Sequence, residues 1–159
     1  MLQGLRYHFF KKQVTQRLQD QYKQNWHSEL NSNALFYNYR MFKQDFQFEN
    51  YLNSLPQTLA NTFLKFRLLN HKLPIQKGRF LAIERNDRVC SKCELQDLGD
   101  EFHYIFVCLF FADTRRQYLK PYYRQHPNAL KFNSLFNSKN CSTLKNLVVF
   151  LKVIIGAFR

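Results

Sequence analysis

The sequence predicts a mostly α-helical protein, and three observations lead to this prediction. Apolar residues recur at helical spacing along the first 31 residues and again over 142–159. The segment between Ser54 and Pro74 has the same spacing, and Pro56 lies near its start, in the position typical of a first helical turn. Between Pro74 and the last of these segments, 142–159, lie four metal-ligating side chains, Cys90, Cys93, His103 and Cys108. We therefore expect an irregular helical domain held together by one structural zinc ion.

Length and hydropathy limit the class of protein. A chain of 159 residues forms one domain, or one domain with an extension, and we expect a long helical extension at 1–33 and a helical zinc-binding domain at 34–159. The first residues lack the apolar run of a secretory signal, and the stretch from Leu144 to Phe158 is too short for a membrane span. Cys141 is left unpaired, which suits a reducing compartment. These features predict an intracellular location, nucleus or cytoplasm, and no membrane partner.

The charge predicts a polyanionic partner. The chain carries 24 Lys and Arg against 11 Asp and Glu, a formal net charge of +13. Such an excess of basic residues favours RNA or DNA as the partner, and no small-molecule substrate is expected. The alternative is that the basic surface serves solubility alone.

The first predicted helix has an unusual apolar pattern. Its apolar residues recur every four positions, at Phe10, Val14, Leu18, Tyr22, Trp26 and Leu30. A step of four drifts by about 40° on a helix of 3.6 residues per turn, so this stripe winds around the helix. Such a helix packs on two neighbours or on a partner. The helix is expected to end at Asn31-Ser32-Asn33, and residues 34–53 remain ambiguous.

The second predicted helix begins near Ser54 and Pro56, and Pro74 is expected to end it. Its apolar face consists of Leu55, Leu59, Phe63, Phe66 and Leu69. Beyond it, Gly78 and Asn86-Asp87 indicate a loop or a short β-hairpin beside the metal.

The metal element spans 88–110 and has the pattern Cys90-x2-Cys93-x9-His103-x4-Cys108. A CxxC turn brings two sulfurs to one ion, and a His and a further Cys complete a tetrahedron. Asp100 is placed to cap a helix that carries His103. Because the protein supplies all four ligands, the pattern favours a structural rather than a catalytic zinc. The alternative is a set of reduced core cysteines with an unrelated histidine.

Two further helices are predicted after the metal element. One runs from Leu109 to about Leu119 and ends before Pro121. It is expected to place Phe111, Tyr118 and Tyr122 inward. The other begins near Ser142 and is apolar almost all round, so it is either buried or docked on a partner.

The metal element also resembles a known family. The resemblance lies in Leu73-Pro74-Ile75-Gln76-Lys77-Gly78-Arg79, in Arg88-Val89-Cys90 and in the run from Gly99 to Cys108. These segments resemble the C-terminal region of metazoan non-LTR (LINE-type) retrotransposon reverse transcriptases. The resemblance implies a reverse transcriptase zinc-binding domain with Cys90, Cys93, His103 and Cys108 as ligands. It also implies a role in holding element RNA or target DNA, beside the rest of a reverse transcriptase.

Two functions from different classes follow. In the first, a zinc-stabilised module binds nucleic acid mainly through phosphate contacts. The candidate contact residues are Lys65, Arg67, Lys72, Lys77, Arg79, Arg85, Arg88, Lys92, Arg116 and Lys120. In the second, a docking module packs on a parent polymerase or on a second copy. An enzyme is not expected, because polymerase chemistry needs paired carboxylates and Asp113 lacks a second one.

Overall fold

The computed structural model of the protein describes residues 2–33 and 36–158, with side chains from residue 7 onward. Its α-helices are, in chain order, α1 (Leu2–Ser32), α2 (Tyr39–Phe42), α3 (Tyr51–Ser54), α4 (Gln57–Arg67), α5 (Pro74–Phe80), α6 (Ala112–Tyr118), α7 (Pro121–Arg124), α8 (Ala129–Phe136) and α9 (Cys141–Gly156). Shorter turns are 3-10 helices at Arg85–Asp87 and Leu109–Phe111, and a π-helical turn at His103–Val107. The prediction of a mostly α fold is confirmed.

The chain forms two compact units, Met1–Gln47 and Phe48–Arg159. The division expected between residues 33 and 34 coincides with the end of α1 at Ser32 rather than with the boundary of the units. Over the described stretches 2–33 and 36–158, none of the helices has both the length and the apolar character needed to cross a membrane.

In the first unit, α1 leaves most of its apolar stripe exposed. Phe10, Leu18 and Tyr22 are 64%, 61% and 59% exposed, respectively. Phe46 packs edge-on against the rings of Tyr22 and Trp26, with centroid distances of 5.0 and 5.6 Å. Val14 is 39% exposed, whereas Leu30 at the end of the stripe is buried.

The core of the second unit is built around α9, which packs against α4, α6 and α8. Leu147, Phe150 and Ile154 on this helix are fully buried, as the prediction of a buried last helix requires. Burial of each such side chain contributes about 1.5–3 kcal/mol. Asn140 caps the helix, because its side chain accepts a hydrogen bond from the Thr143 N–H at 2.9 Å.

The structure corrects the extent of the second predicted helix. α4 ends at Arg67, and Leu69 adopts a positive φ of 60° that breaks the helical path. Pro74 does not end a helix but begins α5, where the missing N–H of proline costs no hydrogen bond. Gly78 lies inside α5, so the expected loop does not begin there, whereas Asn86 and Asp87 do lie in an irregular segment that contains a 3-10 turn. Within the metal element the chain forms an antiparallel bridge between Val89 and Leu98.

The helix after the metal element follows the prediction with one exception. α6 ends at Tyr118, before Pro121, and Phe111 is buried. Tyr118 is half-buried and stacks on Phe150 at 6.5 Å between centroids. Tyr122 is 59% exposed, so its predicted inward position is wrong. Helix α8 was not predicted, although Asn128 at its N-cap and the spacing of Phe132, Leu135 and Phe136 are typical of a helix.

Arg67 is a core residue rather than a surface cation. Its side chain is almost completely buried, and it donates hydrogen bonds to the Phe136 carbonyl and to both carboxylate oxygens of Glu49, each at 3.1 Å. Its guanidinium also lies over the rings of Tyr51 and Phe63. Arg67 therefore cannot contact a phosphate, and its prediction as a nucleic-acid contact is wrong. The flank of α4 that bears it is covered by other parts of the second unit.

We expect Arg67→Met to lower the free energy of unfolding by about 2–4 kcal/mol, because Glu49 loses this cation and Phe136 loses a donor. The matched control is Lys65→Met on the exposed side of the same helix, with an expected change of about 0.5 kcal/mol or less. Urea unfolding followed by circular dichroism measures both. Equal losses for the two variants would contradict a structural role for Arg67.

Candidate metal centre

The first two ligands lie on a loop closed by backbone hydrogen bonds. The Cys90 N–H donates to the Asp97 carbonyl, and the Gly99 N–H donates to the Arg88 carbonyl, both at 2.8 Å. Within this loop the Lys92 N–H donates to the Cys90 sulfur at 3.3 Å. This bond forms the CxxC turn and directs the sulfurs of Cys90 and Cys93 toward the same point.

The other two ligands lie at the two ends of a π turn. The Asp100 side chain accepts a hydrogen bond from the His103 N–H at 2.9 Å, which confirms the predicted cap. The Cys108 N–H then donates to the His103 carbonyl at 2.8 Å. This is the i to i+5 bond that defines a π turn, and it joins the two ligand residues directly. The spacing of four residues between His103 and Cys108 thus corresponds to one wide helical turn.

The four side chains converge on one point. The Cys90 sulfur lies 3.6 Å from the Cys93 sulfur and 3.8 Å from the Cys108 sulfur, and the Cys93 sulfur lies 3.4 Å from His103 Nε2. All four ligand atoms lie within 4.8 Å of one another. The sequence-predicted ligand set is therefore brought together, and it can hold one metal ion.

The environment of the thiols makes a bound cation favourable. Cys90 and Cys108 are buried, and Cys93 is half-buried. Burial raises the pKa of Cys108 to about 12 in the metal-free protein. At Cys90, burial opposes the thiolate, but hydrogen bonds, including the one from the Lys92 N–H, lower the pKa overall. A metal ion supplies the positive charge that buried thiolates need, and it must displace their protons to bind.

His103 is oriented for coordination through Nε2. Its Nε2 faces the Cys93 sulfur, while its Nδ1 lies 3.6 Å from a carboxylate oxygen of Asp97. A carboxylate next to the distal ring nitrogen is a common way to fix the orientation of a ligating imidazole. Burial lowers the pKa of His103, and the nearby Arg115 adds to this effect against the opposing charge of Asp97. The ring is therefore neutral at neutral pH, which is the form that binds a metal.

Arg115 supports the ligand-bearing turn and was not predicted. Its side chain is buried; Nε donates to the Ile105 carbonyl at 2.6 Å, and Nη2 donates to the Cys108 carbonyl at 2.7 Å. It thereby satisfies carbonyls at the end of the π turn that lack helical partners. A sequence signal existed, because Arg115 falls between Phe111 and Leu119 at spacings of four and so lies on the apolar face of α6.

Arg88 and Gly99 join the loop that carries Cys90 and Cys93 to α5; we call this loop, residues 88–99, the metal loop. The Arg88 guanidinium donates hydrogen bonds to the carbonyls of Ile83 and Ile75. The aliphatic part of the Arg88 side chain packs on Gly78, and a Cβ added at Gly78 would lie only 2.6 Å from Arg88 Cγ. A Cβ on Gly99 would meet Pro74 at 2.9 Å, so glycine allows the loop to approach the start of α5. Arg88 therefore has a structural role, but its side chain is partly exposed, so its contact with phosphate stays a prediction.

The remaining predicted contact residues lie at or near the surface. Those that are exposed are Lys65, Lys72, Lys77, Arg116 and Lys120. Those that are partly exposed are Arg79, Arg85 and Lys92. Arg79 lies over the Phe80 ring, and Lys92 lies over the rings of Phe110 and Phe158. Arg116 pairs with the exposed carboxylate of Asp113, which is a surface helix residue as expected.

No family model, curated protein or solved structure matches this chain. The resemblance described above therefore rests on the residues quoted for it, and the function is argued from the site.

We expect Arg115→Met to weaken metal affinity by about 10–100-fold, because the turn that carries His103 and Cys108 loses its support. Arg116→Met is a matched control, since the neighbouring arginine is exposed and makes only a surface ion pair with Asp113 among the contacts described. Competition with a chromophoric chelator measures both affinities. Equal affinity for Arg115→Met and Arg116→Met would contradict the supporting role.

Metal binding should also release protons. At neutral pH the buried Cys108 is protonated and His103 is neutral, so binding displaces thiol protons but none from the imidazole. We expect at least one proton, that of Cys108, to be released per ion and affinity to rise with pH. Calorimetry in buffers of different ionisation enthalpy gives the proton count. A pH-independent affinity would argue against thiolate coordination.

Proposed function

We propose that this protein is a zinc-stabilised nucleic-acid-binding module of the kind found in the C-terminal region of non-LTR retrotransposon reverse transcriptases. The proposal is carried by one observation. The side chains of Cys90, Cys93, His103 and Cys108 converge on a possible metal site, and the chain that contains this site has a formal net charge of +13. Zinc would fix the shape of this segment, and the cations would hold RNA or DNA.

The donor set supports zinc as the metal. Three thiolates and one imidazole suit a tetrahedral site, and zinc–sulfur bonds of about 2.3 Å imply sulfur–sulfur edges of about 3.8 Å. The two sulfur–sulfur distances of 3.6 and 3.8 Å agree with that geometry. Because the protein supplies four ligands, the proposed zinc has no open position for water or substrate. We therefore assign it a structural role and assign no catalytic step to this protein.

The link from metal to cations runs through backbone contacts. The Ile75 N–H donates to the Gly99 carbonyl at 3.1 Å, and Arg88 joins the other side of the loop to α5. The loop that carries the first two ligands thus holds the start of α5, which lies between the exposed Lys72 and Lys77. Contacts of these lysines to phosphates would give affinity that falls steeply with salt and carries little sequence information.

A second candidate function is a docking module, and the exposed stripe on α1 favours it. Phe10, Val14, Leu18 and Tyr22 recur every four residues along α1 and are all exposed, and a row of exposed apolar side chains favours an interaction site. In this alternative α1 packs on the rest of a polymerase or on a second copy, and the basic charge serves solubility.

The two functions differ in the effect of charge reversal. We expect Lys72→Glu/Lys77→Glu to weaken binding of single-stranded RNA or DNA at least tenfold and to lower the slope of log affinity against log salt by about one per lysine. The matched control is Lys145→Glu/Lys152→Glu, which changes the net charge equally at exposed positions of α9. Fluorescence anisotropy over a salt series measures both variants, with zinc-loaded and metal-stripped protein.

Two outcomes would contradict the proposal. No binding at low salt by folded, zinc-loaded protein would leave the docking module as the better account. Equal losses in the two double variants would show that net charge alone attracts the nucleic acid, without a localised contact surface.

A further inference from the structure

A cleft of about 850 Å³ opens beside the metal loop. Its lining residues include Phe80 of α5, Val89 and Ser91 on either side of Cys90 in sequence, and Phe158. Val89 and Ser91 flank the ligand Cys90, so coordination of the metal fixes one wall of the cleft. Its volume falls within the range of ligand sites.

The interior of the cleft is apolar and partly aromatic. Phe80, Leu81 and Ile83 are 78%, 61% and 39% exposed, respectively, although all three line the same concavity. The guanidinium of Arg79 lies 4.8 Å from the centroid of the Phe80 ring, so a cation covers one side of this ring. An exposed ring held in this way is a platform for a second flat group.

The charged residues that line the cleft are mostly cationic. Lys72 and Lys77 line it and are exposed, whereas Asp87 is the acidic group among the lining residues. The donors of Arg88 are turned to the carbonyls of Ile83 and Ile75. A ligand in the cleft therefore meets apolar surface inside and the two lysines beside it. The matching occupant has a flat apolar group with anionic groups next to it.

We propose that this cleft receives an unpaired base of single-stranded nucleic acid, which stacks on Phe80 while Lys72 and Lys77 contact the neighbouring phosphates. The inference rests on the proposed function and adds the class of nucleic acid. Stacking on an aromatic side chain tolerates any base, because every base has a flat π face. A duplex keeps its bases paired and offers only phosphates, so it gains nothing from the cleft. The part of the affinity that depends on Phe80 should therefore be present with single strands and absent with duplex.

The test compares three probes on full-length, zinc-loaded protein by fluorescence anisotropy. The probes are oligouridine, an abasic strand of equal length with the same phosphates, and a duplex of that length. Wild-type protein should bind oligouridine about tenfold more tightly than the abasic strand. Phe80→Ala should remove this difference and leave abasic binding unchanged.

Two further variants control for structure and chemistry. Phe80→Leu keeps an apolar side chain but lacks the aromatic face, so it should also lose most of the preference for oligouridine. Phe48→Ala removes a phenylalanine that is 65% exposed and does not line the cleft, and it should retain the preference. We expect all of these variants to fold, because the side chains of Phe80 and Phe48 are exposed, and circular dichroism checks this.

The outcomes separate this inference from the proposed function. Equal wild-type affinity for oligouridine and the abasic strand, or an equal loss for both in Phe80→Ala, would overturn the base site and leave phosphate binding intact. Absence of binding to all three probes would overturn the proposed function itself. A dimer that requires Phe80 in sedimentation, or a Phe80-dependent complex with an acidic apolar peptide, would assign the cleft to another occupant and overturn the inference.

Discussion

The ligand atoms of Cys90, Cys93, His103 and Cys108 meet although they come from two separate pieces of chain, a closed loop and a π turn. From Ser91 to Asp97 the loop is mostly exposed, so apolar burial cannot hold it against the rest of the second unit. Coordination of one ion is the interaction that can do so, because it pairs the buried thiolates with a cation and ties both pieces together. Hydrogen bonds from Arg88 and to Gly99 join this loop to α5, so coordination would also support the cleft beside α5 and the proposed binding surface.

Three arginines that hydrogen-bond to backbone carbonyls hold much of the rest of the second unit together, and two of them, Arg67 and Arg115, are buried. Arg115 satisfies carbonyls of the π turn, Arg88 joins α5 to the metal loop, and Arg67 links Glu49 to the end of α8. A planar guanidinium with several donors suits this task, because it can satisfy two or three acceptors from different segments at once. The formal charge of +13 therefore overstates the number of cations available to a partner. The exposed lysines are the better guide to the binding surface.

The features that could be predicted from the sequence are those that depend only on residues close together along the chain. The ligand spacing, the Asp100 cap and the apolar α9 each depend on a few neighbouring residues, and each is found as expected. Pro74 was misread because proline is common both just after one helix and at the start of the next. The role of Arg67 was missed because it depends on Phe136, far along the chain, and sequence position alone cannot show that contact.

The central claim is that one metal ion, bound by three sulfurs and one nitrogen, holds the metal loop to the second unit. Titration of the metal-stripped protein with Co(II), followed by absorption spectroscopy, tests it most directly. The account predicts tetrahedral d–d bands and thiolate charge-transfer bands that saturate at one equivalent, with lower charge-transfer intensity in Cys108→Ser. Octahedral spectra without charge-transfer bands, or spectra unchanged by Cys108→Ser, would contradict it.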